Sequence, residues 1–211
     1  MTRKDKVKHF FGYPFYIMSH PFDGFYDMKF AKKGRVGFIF FAVFFLCISQ
    51  AIQETYTHYA ISGNLPGTFN TVHLFYQITG FFVLFCVANW SVSSIMNGEG
   101  KFVEIAMATA YALTPLLVTI IPVTIISRAL AYEESAFYGI LNGIAIFYFI
   151  VLEFVGILTV HNYTVMKTVG TFLLTVCAIV IIIFLAVLLF TLMQQVQVFV
   201  SGIITELRYR T

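Results

Sequence analysis

The sequence predicts an all-α, polytopic membrane protein, with five transmembrane helices preceded by a short amphipathic helix lying in the membrane interface. Three observations carry this. Charged residues make up 11% of the 211-residue chain and hydrophobic ones 59%, whereas about a quarter of a soluble domain is charged. The mean hydropathy is +0.86. Five windows, 36–53, 72–96, 105–127, 136–160 and 169–193, each supply the roughly twenty mostly apolar residues that a crossing needs. No polar stretch is long enough for a second domain. Residues 1–35 therefore read as a basic, aromatic leading segment and 36–211 as one five-helix unit.

Lysine and arginine placement sets the expected orientation. Arg3, Lys4, Lys6, Lys8, Lys29, Lys32, Lys33 and Arg35 precede the first window, and the loop 54–71 has none. With the N-terminus inside, Lys101 and Lys167 join them, so ten of the thirteen basic residues lie on the cytoplasmic side of a cell membrane. Arg128, Arg208 and Arg210 fall outside, and the C-terminus is extracellular. The stretch FGYPFYIMSHPFDG behind the basic start is broken by two prolines and a histidine. It lacks a small-residue cleavage site, so it reads as retained.

Within that segment Pro21 suits a first helical position, with Ser19 or His20 as cap. Phe22, Phe25, Tyr26 and Phe30 recur at helical spacing, and Lys32, Lys33 and Gly34 make a stop. The expectation is a helix of about ten residues with its rings at headgroup level and its lysines toward anionic lipid. It serves as an anchor for the first span or as a docking surface. The first span is the shortest and can extend through 54–59.

Between the second and third spans lies NWSVSSIMNGEGKFVEI (89–105). A phosphate loop needs GxxxxGK followed by a hydroxyl residue. Here Phe102 follows Gly100-Lys101, and Ile95 stands where the first glycine belongs, so no nucleotide binding is expected. The stretch reads as a hairpin. Asn97 and Gly98 end one helix, and Glu104 sits in the positive opening turn of the next. Asn97, Gly98, Gly100 and Lys101 are candidates for a cytoplasmic turn or partner contact.

The third span carries Pro115 and Pro122, which free the carbonyls of Tyr111 and Val118. Such breaks line cavities in transporters or are kinks satisfied by hydroxyls, here those of Thr114 or Thr119. The fourth span holds Glu153, an ionisable group at a costly depth. It acts either as a proton or cation relay, or as a carboxyl locking two helices together, against Asn89 or a tyrosine. Gly156, Ile157 and His161 fall on its side of the helix. Gly139 and Gly143 form GxxxG, and Ala106, Ala108, Ala110 and Ala112 line the third span; both sets suit close helix contact, inside the chain by default or with another subunit. In the last span no charge occurs between Lys167 and Glu206. That is too long for one crossing, and Gln194, Gln195 and Gln197 mark the expected exit. An apolar extension beyond them would want a covering partner.

Cys47, Cys86 and Cys177 show no CxxC spacing, and the five histidines no metal-binding pair. No catalytic motif of a membrane enzyme is present, so neither enzymatic activity, cofactor, metal nor nucleic acid is expected.

HPFDGFYDMKFAKKG (20–34), NWSVSSIMNGEGKFVEIAMATAYALTP (89–115) and HNYTVMKTVGTFL (161–173) together resemble the Yip1 superfamily. The middle block is the most specific, with its Asn-Trp, its Gly-x-Gly-Lys turn and its Tyr-Ala-Leu-x-Pro. The resemblance implies five membrane helices, a cytoplasmic N-terminus and no catalytic residues. In compact, bacterial-type relatives it implies a setting beside ABC-type sugar transporters, and in eukaryotic ones trafficking and Rab GTPase binding. The functional expectation is a non-enzymatic accessory or scaffold subunit of a partner membrane complex of the ABC type. A small transporter or channel, and a trafficking adaptor, are the alternatives.

Overall fold

The computed structural model describes residues 3–57, 70–130 and 132–210. Among these, the chain is helical throughout, without strands. Five segments are long and apolar enough to cross a membrane. The loop between the first two spans lies mostly outside the described residues.

Two helices precede the spans. Helix α1 (Arg3–Ser19) was not expected, because Pro14 lies inside it and removes a backbone donor. Tyr13 and Ile17 nevertheless stand one turn apart on a face that is fully buried. Helix α2 (Pro21–Lys29) starts as expected, with His20 as N-cap and Pro21 in the first turn. The Tyr13 hydroxyl donates to the Gly24 carbonyl at 2.9 Å, tying the two helices into a hairpin. Burial raises the Tyr13 pKa above that of a free tyrosine.

Helix α3 (Gly37–Tyr56) and helix α4 (Thr71–Ile95) are the first two spans. Asn70 caps α4, its carboxamide oxygen accepting from the Val72 and His73 amides. The third span is two helices, α5 (Phe102–Ala112) and α6 (Thr114–Ser127), broken at Leu113. Pro115 causes the break, and the Thr114 hydroxyl donates to the Tyr111 carbonyl, the group that Pro115 frees. Pro122 stays inside α6. Helix α7 (Ser135–His161) is the fourth span, and α8 (Val165–Arg210) the fifth.

The core gathers where the hairpin meets α3, α5, α6 and α7. Phe38 stacks on Tyr111 at 4.3 Å, and Tyr13 meets the same ring edge-on at 5.5 Å. The Tyr111 hydroxyl in turn accepts the Arg35 amide at 3.2 Å. Ala106, Ala108, Ala110 and Ala112 are all buried, so the alanine stripe is an internal contact surface. The glycine pair is not: Gly139 and Gly143 are exposed, and a methyl group at either would meet nothing within 4 Å. The expectation that this GxxxG packs inside the chain is corrected; it lies on the outward face of α7. At the end away from the hairpin, Gln53 donates to the Tyr138 hydroxyl at 2.7 Å and to Asn142 at 3.3 Å, joining α3 to α7.

Candidate functional site

The three patterned stretches of the sequence meet at the basic end of the bundle. Asn97 and Asn162 both adopt left-handed backbone, at φ 52° and 54°, and end α4 and α7 in the same way. The Gly98 amide returns to the Ser93 carbonyl at 2.8 Å, and the Tyr163 amide to that of Leu158 at 3.0 Å. Each is the long backbond of a Schellman cap, which suits asparagine, a residue that tolerates positive φ. The turn 97–101 is thereby laid against His161 and Tyr163. A Cβ at Gly98 would come within 2.5 Å of His161 Nδ1 and of the Tyr163 hydroxyl, and one at Gly100 within 2.6 Å of Val160. Only glycine fits at either position. Lys101 begins α5, its amide donating to the Glu104 carboxylate at 3.0 Å, which is half of a capping box.

A continuous hydrogen-bonded chain runs inward from this turn. The Gly100 amide donates to His161 Nδ1 at 3.3 Å. That bond selects the tautomer with hydrogen on Nε2, which reaches the Asn89 carbonyl oxygen at 3.3 Å. Asn89 Nδ2 then donates to the Thr175 hydroxyl at 3.2 Å, and Thr175 to the Thr171 carbonyl at 2.7 Å. Asn89, His161, Thr171 and Thr175 are all buried. Four elements, the turn, α4, α7 and α8, are thus joined by polar groups that satisfy one another, as buried polar groups must.

The hairpin closes the same node from the lysine-rich side. Lys29 Nζ donates to the Val160 carbonyl at 2.8 Å and pairs with Glu99 at 3.5 Å. A lysine at the end of α7 suits the negative pole of that helix. Lys167 lies over the Tyr163 ring at 4.3 Å. Lys33 pairs with Asp27 at 2.5 Å, and that hydrogen bond raises its pKa. Lys32 is exposed at φ 52°.

The aromatic face of α2 divides. Phe22, Tyr26 and Phe30 are exposed, spaced four residues apart along one side, and Tyr26 lies 4.5 Å from Phe30. Phe25 does not join them. It is 0% exposed, on the opposite face, where a Cβ at Gly156 would lie 3.2 Å from its ring. The expectation that Phe25 lies among headgroups is corrected, because its position on the helix turns it toward α7.

Glu153 is 3% exposed and lies deeper. Its Oε1 accepts from the Thr109 hydroxyl on α5 at 2.9 Å, while Oε2 has no hydrogen-bond partner among the described residues. The partner is neither Asn89 nor a tyrosine, the two anticipated from sequence. Asn89 is engaged by His161 and Thr175. Thr109 sits within the alanine stripe of α5, and the sequence signal that could have found it is its place at i+3 from Ala106. Gly156, Ile157 and His161 are buried with Glu153, whereas Pro115 and Pro122 are not joined to it by any hydrogen bond described. Among the described residues no group of three His, Cys, Asp or Glu could hold a metal ion.

The model of the Yip1 domain matches residues 15–189. The chain belongs to the Yip1 family. The match begins inside α1, so the Yip1 domain takes in the last turn of α1 and all of α2 as well as four spans and the membrane-length part of α8. No curated protein and no solved structure matches the chain. It is an integral, multi-pass membrane protein in contact with a lipid bilayer.

Proposed function

We propose that this Yip1-family protein is a non-enzymatic scaffold of the cell membrane that assembles with a partner membrane complex, its N-terminus cytoplasmic and its C-terminus extracellular. The ABC-type sugar importer is the partner class that the family resemblance favours. One observation carries the reading. From Ile183 to Tyr209 every described side chain of α8 is exposed, including Val196, Val198, Phe199, Ile203 and Ile204. Forty-six residues of helix reach about 69 Å, more than twice a hydrocarbon layer of about 30 Å. Lipid covers the first part. The apolar remainder beyond Gln194, Gln195 and Gln197 is a surface that another protein would cover. The outward Gly139–Gly143 face offers a second close-approach surface within the membrane.

The deciding experiment is native mass measurement after extraction in mild detergent, from cells carrying the intact chain and a chain ending at Met193. A foreign membrane subunit at fixed stoichiometry, lost on truncation, is the expected result. A homo-oligomer with no foreign subunit, insensitive to truncation, would favour a transporter or channel in its own right. Orientation is tested in a cysteine-free background. Cysteines at Asn64 and Thr211, both outside the described residues, are expected to react with impermeant external thiol reagents, while one at Glu99 stays protected. Labelling of Glu99 with protection at 64 and 211 would reverse the orientation.

A further inference from the structure

An apolar groove of about 670 Å³ opens between α3, α4 and α5. Val36, Phe40, Phe44, Phe75, Val83 and Phe102 are among its walls. Along α4 its lining runs from Phe75 to Cys86, about 16 Å of helix axis. The groove is therefore elongated along the membrane normal, within the spans, where its occupant must be apolar.

Its mouth is not apolar in its surroundings. Val36 and Phe102 line it, and the residues directly preceding them are Arg35 and Lys101. Neither cation makes an ion pair among the described residues. Of the nearby acids, Glu99 is paired with Lys29, and Glu104 is turned back onto the Lys101 amide. Helices α3 and α5 both begin here, so two positive helix poles face the same spot. A slot for a hydrocarbon chain, whose end is formed by residues that directly follow two cations without ion-pair partners among the described residues and by two helix starts, is complementary to one kind of molecule.

We propose that an anionic phospholipid occupies this groove, one acyl chain between α3, α4 and α5 and its headgroup at Arg35 and Lys101. The occupant is a bilayer lipid rather than a soluble anion, because the two cations directly precede residues that line an apolar slot. Anionic lipids are concentrated in the cytoplasmic leaflet, the side that the lysine-rich hairpin faces under the proposed orientation.

The protein carries its own reporter. Trp90 is the single tryptophan of the chain, is 46% exposed, and its ring lies 6.2 Å from that of Phe102 at the mouth. The full chain would be reconstituted in phosphatidylcholine vesicles doped with either brominated phosphatidylglycerol or brominated phosphatidylcholine, and quenching of Trp90 compared at equal mole fraction. The expected result is a relative association constant favouring the anionic lipid by about fivefold or more, the effect of roughly one well-placed cation. Arg35→Gln with Lys101→Gln should bring the ratio to parity while both lipids still quench. Val83→Phe, a substitution of a half-exposed wall residue, should fill the slot and reduce the preference without touching a charge. Parity in the wild type overturns the proposal. So does a preference unchanged by the paired substitution, which would assign it to the lysines of the N-terminal segment at large. A preference that survives Val83→Phe in full would mean adsorption at the rim with no seated chain, and would overturn it equally. Helix content and monodispersity of each variant show that the fold is retained.

Discussion

Phe25→Ala is expected to lower stability in detergent by about 3–5 kcal/mol, the usual cost of truncating a buried phenylalanine. Phe25 is fully enclosed, with its ring over Gly156 of α7, which also lies beside Ala108 of α5. Gly156, which its ring covers, has no side chain with which to fill the space. The loss would appear as a lower midpoint of helix unfolding, and as faster proteolysis between α2 and α3 as the hairpin comes away. Phe22→Ala is the matched control: its ring is 60% exposed, and surface truncations cost within about 0.5 kcal/mol. Equal sensitivity at the two positions would mean that the hairpin lies on the membrane surface without packing into the bundle.

Glu153→Leu is expected to cost roughly 1–3 kcal/mol, because it leaves the buried Thr109 hydroxyl without its acceptor. Glu153→Gln keeps the side-chain length and an acceptor oxygen for Thr109, so assembly and melting should stay close to wild type. A proton relay would rank the variants differently. Gln and Leu would then abolish flux alike, since neither titrates, with the Gln melting curve unchanged. Proton flux into liposomes that vanishes in Glu153→Gln at unchanged stability would overturn the packing role. Thr109→Val supplies a further check, since it removes the same hydrogen bond from the other side and should not add to Glu153→Leu.

The spans were legible because each crossing must be apolar over a fixed length, and composition alone reports that. The broken third span was also legible, down to the hydroxyl that satisfies the carbonyl freed by Pro115, since proline acts on a carbonyl at a set distance back along the chain. Helix α1 was hidden by Pro14. What stabilises that helix is tertiary, the contact of Tyr13 and Ile17 with α2 and the core, and no local propensity records it. The glycines misled for a related reason: GxxxG marks a surface that permits close approach but not which helix approaches. The polar node was half legible. Asn89, His161, Gly98 and Gly100 were each singled out, but their joining depends on α4 and α7 ending at the same level, which is a property of the assembled bundle. Thr175, the link to α8, carried no signal beyond being a hydroxyl in an apolar run.

The partners of Asn89 impose an order in time. Its carboxamide is satisfied by His161 and Thr175, which the ribosome reaches 72 and 86 residues later in the chain. At about 5–20 residues per second, 86 residues take roughly 4–17 seconds. Throughout that interval α4 exists with a bare amide in mid-synthesis and cannot settle in hydrocarbon at its final depth without cost. The node therefore cannot be complete until both halves of the chain have been made. A node that joins four elements of the finished molecule is, during its manufacture, a latch that stays open until the fifth span is made.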